Sequence, residues 1–274
     1  MAVPTRKLFW GLVAGAVAVG AAAAAPPTPP PAKPVAAPAK AAAQPAADPA
    51  DAPDPVRAVD PLGAMLSEAK TAYGGLRDYT CVFTRQERAN GVLSAEQVAE
   101  MKVRVKPYSV AVRYARPEAI AGMEASYSAA SASGKARFRP GVGKNLMLVS
   151  LDDPKVQADA HRPLNELGIG PALDRLGAAV AREKALRNPV EVYAADFQFA
   201  GRNVTRYEVY TRRPHTHRAA YRTVMYVDKE TKLPLRFEAH DAPKPGATAG
   251  DLLEAHSYTG VKTNVGLGDS AFGE

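Results

Sequence analysis

MKVRVKPYSVAVRY, residues 101–114, is the stretch whose reading decides the architecture. Met101, Val103 and Val105 alternate with Lys102, Arg104 and Lys106, so one parity is apolar and the other charged. Successive strand side chains point to opposite faces, and this pattern therefore predicts a strand with one face on a core and one in water. Pro107 marks a turn, after which Val110, Val112 and Tyr114 repeat the theme. Upstream, Tyr79, Cys81 and Phe83 share one side of a strand, Thr80, Val82 and Thr84 share the other, and Asn90-Gly91 is a strong hairpin signal. Downstream, Met123, Ala125 and Tyr127, then Ala136 and Phe138, then Leu146 and Leu148 continue a meander.

Helical spacing interrupts this pattern twice. Asp60 is placed as an N-cap with Pro61 at the first helical position, and Leu62, Met65, Leu66, Ala69 and Tyr73 form one face before Gly74 and Gly75 stop it. Residues 152–163 are polar and irregular, and Gly168–Leu186 reads as a second helix, with Leu173, Leu176, Ala179 and Val180 as its apolar stripe. Strands then return. Asp196–Ala200 turns at Gly201 into Val204–Thr211, where Thr205, Tyr207 and Val209 oppose Arg206 and Glu208. Thr223–Val227 and Leu233–Glu238 form another hairpin around residues 228–232, and Leu252–Val261 is the last strand. The expected fold is α+β, one strongly curved antiparallel sheet with two or three helices packed on or across it. A sheet with one apolar face and so few helices lays either helices or a ligand against that face.

The chain begins as an address. Arg6 and Lys7 precede an uncharged run, Leu8–Ala25, in which Ala22, Ala23 and Ala24 give a small-residue cleavage pattern. That order predicts a secretory signal peptide over residues 1–25, and with it a periplasmic location. The run is also about long enough to span a bilayer, so a retained inner-membrane anchor stays open. Residues 26–57 are almost wholly Pro, Ala, Lys and Asp and cannot bury a core, so they read as a disordered linker. Extended as polyproline, such a linker reaches on the order of 90 Å at about 3.1 Å per residue. Residues 58–274 form the folded domain.

The formal net charge of +7 suits an anionic partner such as a membrane surface or an acidic lipid. The charge is spread rather than blocked, which argues against nucleic acid. Cys81 is the only cysteine, so no internal disulfide exists, and its mid-strand position reads as a buried small hydrophobe rather than a nucleophile. His215 and His217 could share a metal, but Arg213 and Arg218 beside them would repel a cation, so no metal is assigned. No serine-hydrolase elbow or phosphate-binding glycine loop is present, and Gly141-Val142-Gly143-Lys144 reads as a turn. No catalytic residue and no cofactor are expected. Arg206, Arg212, Arg213 and Arg218 gather around one hairpin and read either as contacts to an anionic partner or as a charged outer face that keeps the sheet soluble.

Three stretches carry a resemblance. They are LRDYTCVFTRQE at 76–87, MKVRVKPYS at 101–109, and YVDKETKLPLRFEAHD at 226–241 with YTGVKTNVGLGDSAF at 258–272. Together they resemble the bacterial family called domain of unknown function 1571, from about Leu66 to Phe272. Residues 159–170, DAHRPLNELGIG, fit more loosely, because His161-Arg162-Pro163 stands where an Asn-Arg-Tyr-Pro run is expected. The C-terminal pattern is also similar to periplasmic lipoprotein-sorting proteins of the LolA, LolB and RseB type. That resemblance implies a half-barrel closed by helices, with acyl chains of a lipid or lipoprotein in its apolar concavity. It implies a non-enzymatic carrier whose pocket is lined by Phe83, Val103, Val105, Val112, Tyr114, Tyr127, Tyr207, Val209, Tyr226 and Phe237. The competing reading is an envelope protein-interaction or sensor module acting through the basic hairpin, with peripheral membrane contact.

Overall fold

The computed structural model describes residues 61–89, 91–131, 134–153, 162–211 and 220–273. The N-cap at Asp60, the signal and linker over residues 1–57, the histidine pair at 215 and 217, and Arg212, Arg213 and Arg218 lie outside the described residues.

Among the described residues, twelve antiparallel strands form one open sheet: β1 (Asp78–Ala89), β2 (Val92–Leu93), β3 (Gln97–Arg104), β4 (Ser109–Arg116), β5 (Glu124–Ser128), β6 (Lys135–Arg139), β7 (Met147–Ser150), β8 (Val190–Phe199), β9 (Arg202–Thr211), β10 (Arg222–Asp228), β11 (Pro234–Pro243) and β12 (Gly250–Thr263). Two α-helices accompany them, α1 (Pro61–Gly74) and α2 (Ile169–Ala185). The spatial order is β7-β6-β5-β4-β3-β1-β12-β11-β10-β9-β8, with β2 paired to β1. Each half is a meander of sequential hairpins, and the halves meet where β1 pairs with β12. The α+β curved sheet with two helices is the fold expected from the alternation.

The register shows what the alternation encodes. Across the first half, Cys81, Met101, Val112, Ala125, Phe138 and Met147 stand opposite one another in a single row over six strands. Five of them are buried, and Met147 packs half-buried against them. Each large side chain so enclosed contributes about 1.5–3 kcal/mol. Leu62, Met65, Leu66 and Ala69 of α1 and Ile169, Leu173, Leu176 and Val180 of α2 complete the same core. One strand begins earlier than the sequence pattern indicates. β8 starts at Val190, because Val190 and Val192 turn toward the core while Glu191 pairs with Tyr210 on the other side.

Two tyrosines fix α2 over the sheet. Tyr79 on β1 is fully buried, and its hydroxyl oxygen accepts the N–H of Ile169 at 3.0 Å. Tyr108 donates its O–H to the carbonyl of Leu167. The connecting chain passes close to these rings. Gly168 has φ +99°, and a Cβ there would sit 2.9 Å from the Tyr79 oxygen. At Gly170 a Cβ would come within 2.4 Å of the Tyr73 ring, so only glycine lets α2 start against α1 at this distance.

Candidate functional site

The inner face of the sheet is apolar on β8–β11 and becomes ionic at the seam of β12 and β1. One row runs Ala194, Tyr207, Met225, Phe237 and then His256, Arg85 and Gln97. The next runs Val192, Val209, Thr223, Ala239 and then Glu254 and Glu87. The charges at the seam pair with one another, although Nδ1 of His256 is buried without a hydrogen-bond partner among the described residues. Arg85 donates to Gln97 at 2.7 Å, lies 3.8 Å from Glu87 and stands over the Tyr114 ring. His256 Nε2 is 3.0 Å from Glu87 Oε1. Arg162 grips Glu254 with two hydrogen bonds, 2.9 and 2.7 Å. Burial works against ionisation of Glu254, but the hydrogen bonds and charge of Arg162, with His256 alongside, outweigh it and hold the carboxyl below its usual range. Glu87, Glu254 and His256 offer ligand atoms within 4.8 Å of one another. With Arg85 and Arg162 already facing the two carboxylates, a metal ion there would meet two guanidiniums, and the donor set does not suit one.

Beside this seam lies a cavity of about 360 Å³, between α2 and the inner face of β8–β12. Its wall is apolar: Leu176, Ala179 and Val180 from the helix, Val209, Phe237 and Leu253 from the sheet. Its polar lining is dominated by guanidiniums, Arg88, Arg162, Arg175 and Arg182, against Glu183 and Glu254. The volume lies within the range of small-molecule sites, and an apolar wall with a few convergent polar groups is their usual composition.

Of the residues expected to line a lipid pocket, Val209 and Phe237 face this cavity. Phe83, Val103, Val105, Val112 and Tyr114 are buried in the packed first half of the sheet, where Phe83 stacks on Tyr258. Tyr127 and Tyr207 pack half-buried against that core. Tyr226 lies on the opposite face, among Phe197, Phe199 and Arg206. The alternation in Thr223–Val227 could not choose between the parities, because Val224 and Tyr226 are as apolar as Met225 and Val227.

The basic hairpin also needs correction at Arg206. This residue is 8% exposed, ion-paired to Glu208 at 2.5 Å, and lies over the Phe197 and Tyr226 rings. Glu208 also accepts from Arg222 at 2.6 Å, and Glu238 is shared by Arg236 and His240. The outer face of β9–β11 is therefore a ladder of paired charges, and Arg206 is not presented to a partner. Cys81 is buried, and burial pushes its thiol up to about 12, which leaves it without nucleophilic character at neutral pH. No described helix is long and apolar enough to cross a membrane.

A family model described as protein of unknown function DUF1571 matches residues 76–274. The chain belongs to this family. No curated protein matches the sequence. Among solved structures, an uncharacterized conserved protein from Thermus thermophilus shares 9% identity with this DUF1571 chain, over 78% of it and 93% of the other, with a TM-score of 0.45. The Mycobacterium tuberculosis lipoprotein LppX shares 12% over 77% and 99%, with a TM-score of 0.45. MucB shares 15% over 77% and 62%, with a TM-score of 0.48. These are distant likenesses, and the reading of the DUF1571 site rests on its own geometry.

Proposed function

We propose that this protein is an exported lipid-binding protein of the cell envelope, a carrier of lipid or lipoprotein acyl chains with no catalytic role. The observation that supports this reading is the cavity between α2 and the sheet, walled by Leu176, Val180, Val209, Phe237 and Leu253. An acyl chain laid against that wall gains about 0.8 kcal/mol for each methylene removed from water. Arg162 and Glu254 satisfy one another beside the cavity, and among the described residues no cysteine, serine or histidine lines its wall. The basic outer face is a weaker candidate for the working surface, since Arg206 and Arg222 already share Glu208.

Mass spectrometry of lipid extracts from protein purified gently from periplasm tests the proposal. A stoichiometric lipid, lost when Val209 is replaced by Asp, is the expected result. A folded protein that carries no lipid and takes none up from added vesicles or micelles would overturn it.

A further inference from the structure

We infer that the cavity selects a single-chain amphiphile with an anionic head, a carboxylate or a phosphate bound at Arg175. This inference rests on the lipid-binding reading above and adds the chemistry of the ligand. The juxtaposition that carries it is an apolar wall against an unbalanced set of guanidiniums.

Each charged group at the cavity can be followed to its partners. Arg162 is committed to Glu254 through two hydrogen bonds. Glu183 is 3% exposed, accepts from Asn188 at 2.6 Å and lies 3.7 Å from Arg182 Nε. Both carboxylates of the cavity thus have cations or donors of their own. Arg88 donates to the carbonyls of Leu252 and Gly91, at 2.9 and 2.8 Å, and approaches Asp251 only to 3.9 Å. Arg175 donates Nη1 to the Glu166 carbonyl at 2.7 Å. It makes no ion pair with a described carboxylate, and its Nε is buried with no acceptor among the described residues. Nε is closed off from the cavity, so an anionic oxygen would meet the part of the Arg175 guanidinium that lines it, where charge and donor geometry suit it.

The placement fits one amphiphile. Arg175 stands one residue before Leu176 and one helical turn before Ala179, so a head at Arg175 directs a chain along the Leu176–Val180 side of α2 toward Val209 and Phe237. The cavity volume, near the lower end of the range for small-molecule sites, suits one chain rather than several.

The test compares ligands that differ only in the head. Dodecanoate, dodecyl phosphate and dodecanol are titrated calorimetrically into the purified full chain, with inorganic phosphate alone as a fourth ligand. A charge-assisted hydrogen bond is worth enough that one or both anionic ligands should bind about tenfold or more tighter than the alcohol. Arg175→Gln should abolish that preference, and Arg175→Lys should restore part of it. The preference between the two acids names the head. Should Arg175→Gln misfold by circular dichroism, the parent protein serves instead: its preference for the anionic ligands should shrink from low to high salt while dodecanol binding does not weaken. Equal affinities for the three dodecyl ligands would overturn the anionic head while leaving lipid binding intact. Inorganic phosphate binding as tightly as dodecyl phosphate would make the site one for a free anion and overturn the amphiphile. Failure of all four to bind would overturn the lipid-binding reading itself.

Discussion

Replacing Asp228 with Asn should destabilise the protein by about 1–2 kcal/mol at pH 7, and the loss should disappear in acid. Asp228 ends β10 and is 1% exposed. Its Oδ1 accepts the N–H groups of Glu230 and Thr231, at 3.0 and 2.7 Å, and the Thr231 hydroxyl at 3.0 Å. Arg202 donates to Oδ2 at 2.7 Å and to Oδ1 at 3.1 Å. Burial alone would raise this carboxyl, but Arg202 and Thr231 more than reverse it, from 3.8 to about 2. At 1.36 kcal/mol per pH unit, that depression corresponds to about 2.4 kcal/mol. Arg202 is 43% exposed, so solvent screens the pair and the smaller range is the expected one. Because the folded value lies below the unfolded one, the stabilisation is fully present above about pH 4 and is lost as pH falls toward 2. The assay is urea unfolding followed by circular dichroism, since Trp10 is the only tryptophan and precedes the domain. At pH 7 the midpoint should fall by roughly 0.5–1 M, and the gap between variant and parent should narrow steadily below about pH 4. A gap that is absent at pH 7, or that stays constant into acid, would refute the assignment of this hairpin's stability to an ionised Asp228.

Other outcomes follow from the same geometry. Glu254→Gln leaves Arg162 without its carboxylate beside a buried seam, and thermal unfolding monitored by circular dichroism should show a Tm lower by roughly 5–10 °C. Gly170→Ala forces a Cβ onto the Tyr73 ring, which should cost about 1–3 kcal/mol in urea unfolding, and a double-mutant cycle with Tyr73→Ala should show that the two losses are less than additive. Cys81 should stay unmodified by a disulfide-exchange reagent at about pH 8 and react at once when urea is added, because burial holds its thiol near 12. Rapid reaction in the native state would show that β1 opens at its centre.

Much of this fold is legible in the sequence, because period-two alternation survives wherever one strand face is wet. Met101–Val105 and Val110–Tyr114 announce their faces, and the Asp228–Thr231 hairpin announces its turn. β8 is less legible, since Val190-Glu191-Val192 is a short signal and the following Tyr193 and Ala195 blur it. The ionic seam left a sign that alternation alone does not interpret. Arg85 and Glu87 continue the inward parity of Tyr79, Cys81 and Phe83, and Glu254 and His256 precede Tyr258 in the same way. Charges on an apolar parity point to a buried network, but only the pairing of β1 with β12 shows that they meet. The cavity is the least legible feature, because its lining comes from six strands and a helix, and its existence depends on where α2 rests. Val209 and Phe237 are accessible as inward residues of their strands, whereas nothing in the helical spacing singles out Arg175.

The seam between β1 and β12 also bears on how the chain reaches this structure. Every other strand pair on the main path of the sheet joins neighbours in sequence, apart from β1 and β3 with the short β2 between them, so the two meanders can zip from local turns. Only the pairing of Thr84 with Ser257, Arg85 with His256 and Glu87 with Glu254 spans the length of the domain. Closing so long a loop is slow, and until it closes each meander exposes a bare edge. A slip of one residue at this closure would turn Arg85 and Glu87 outward and drive Gln86 into the core. The paired charges are therefore the groups that a wrong register would separate, at the most distant joining in the sheet.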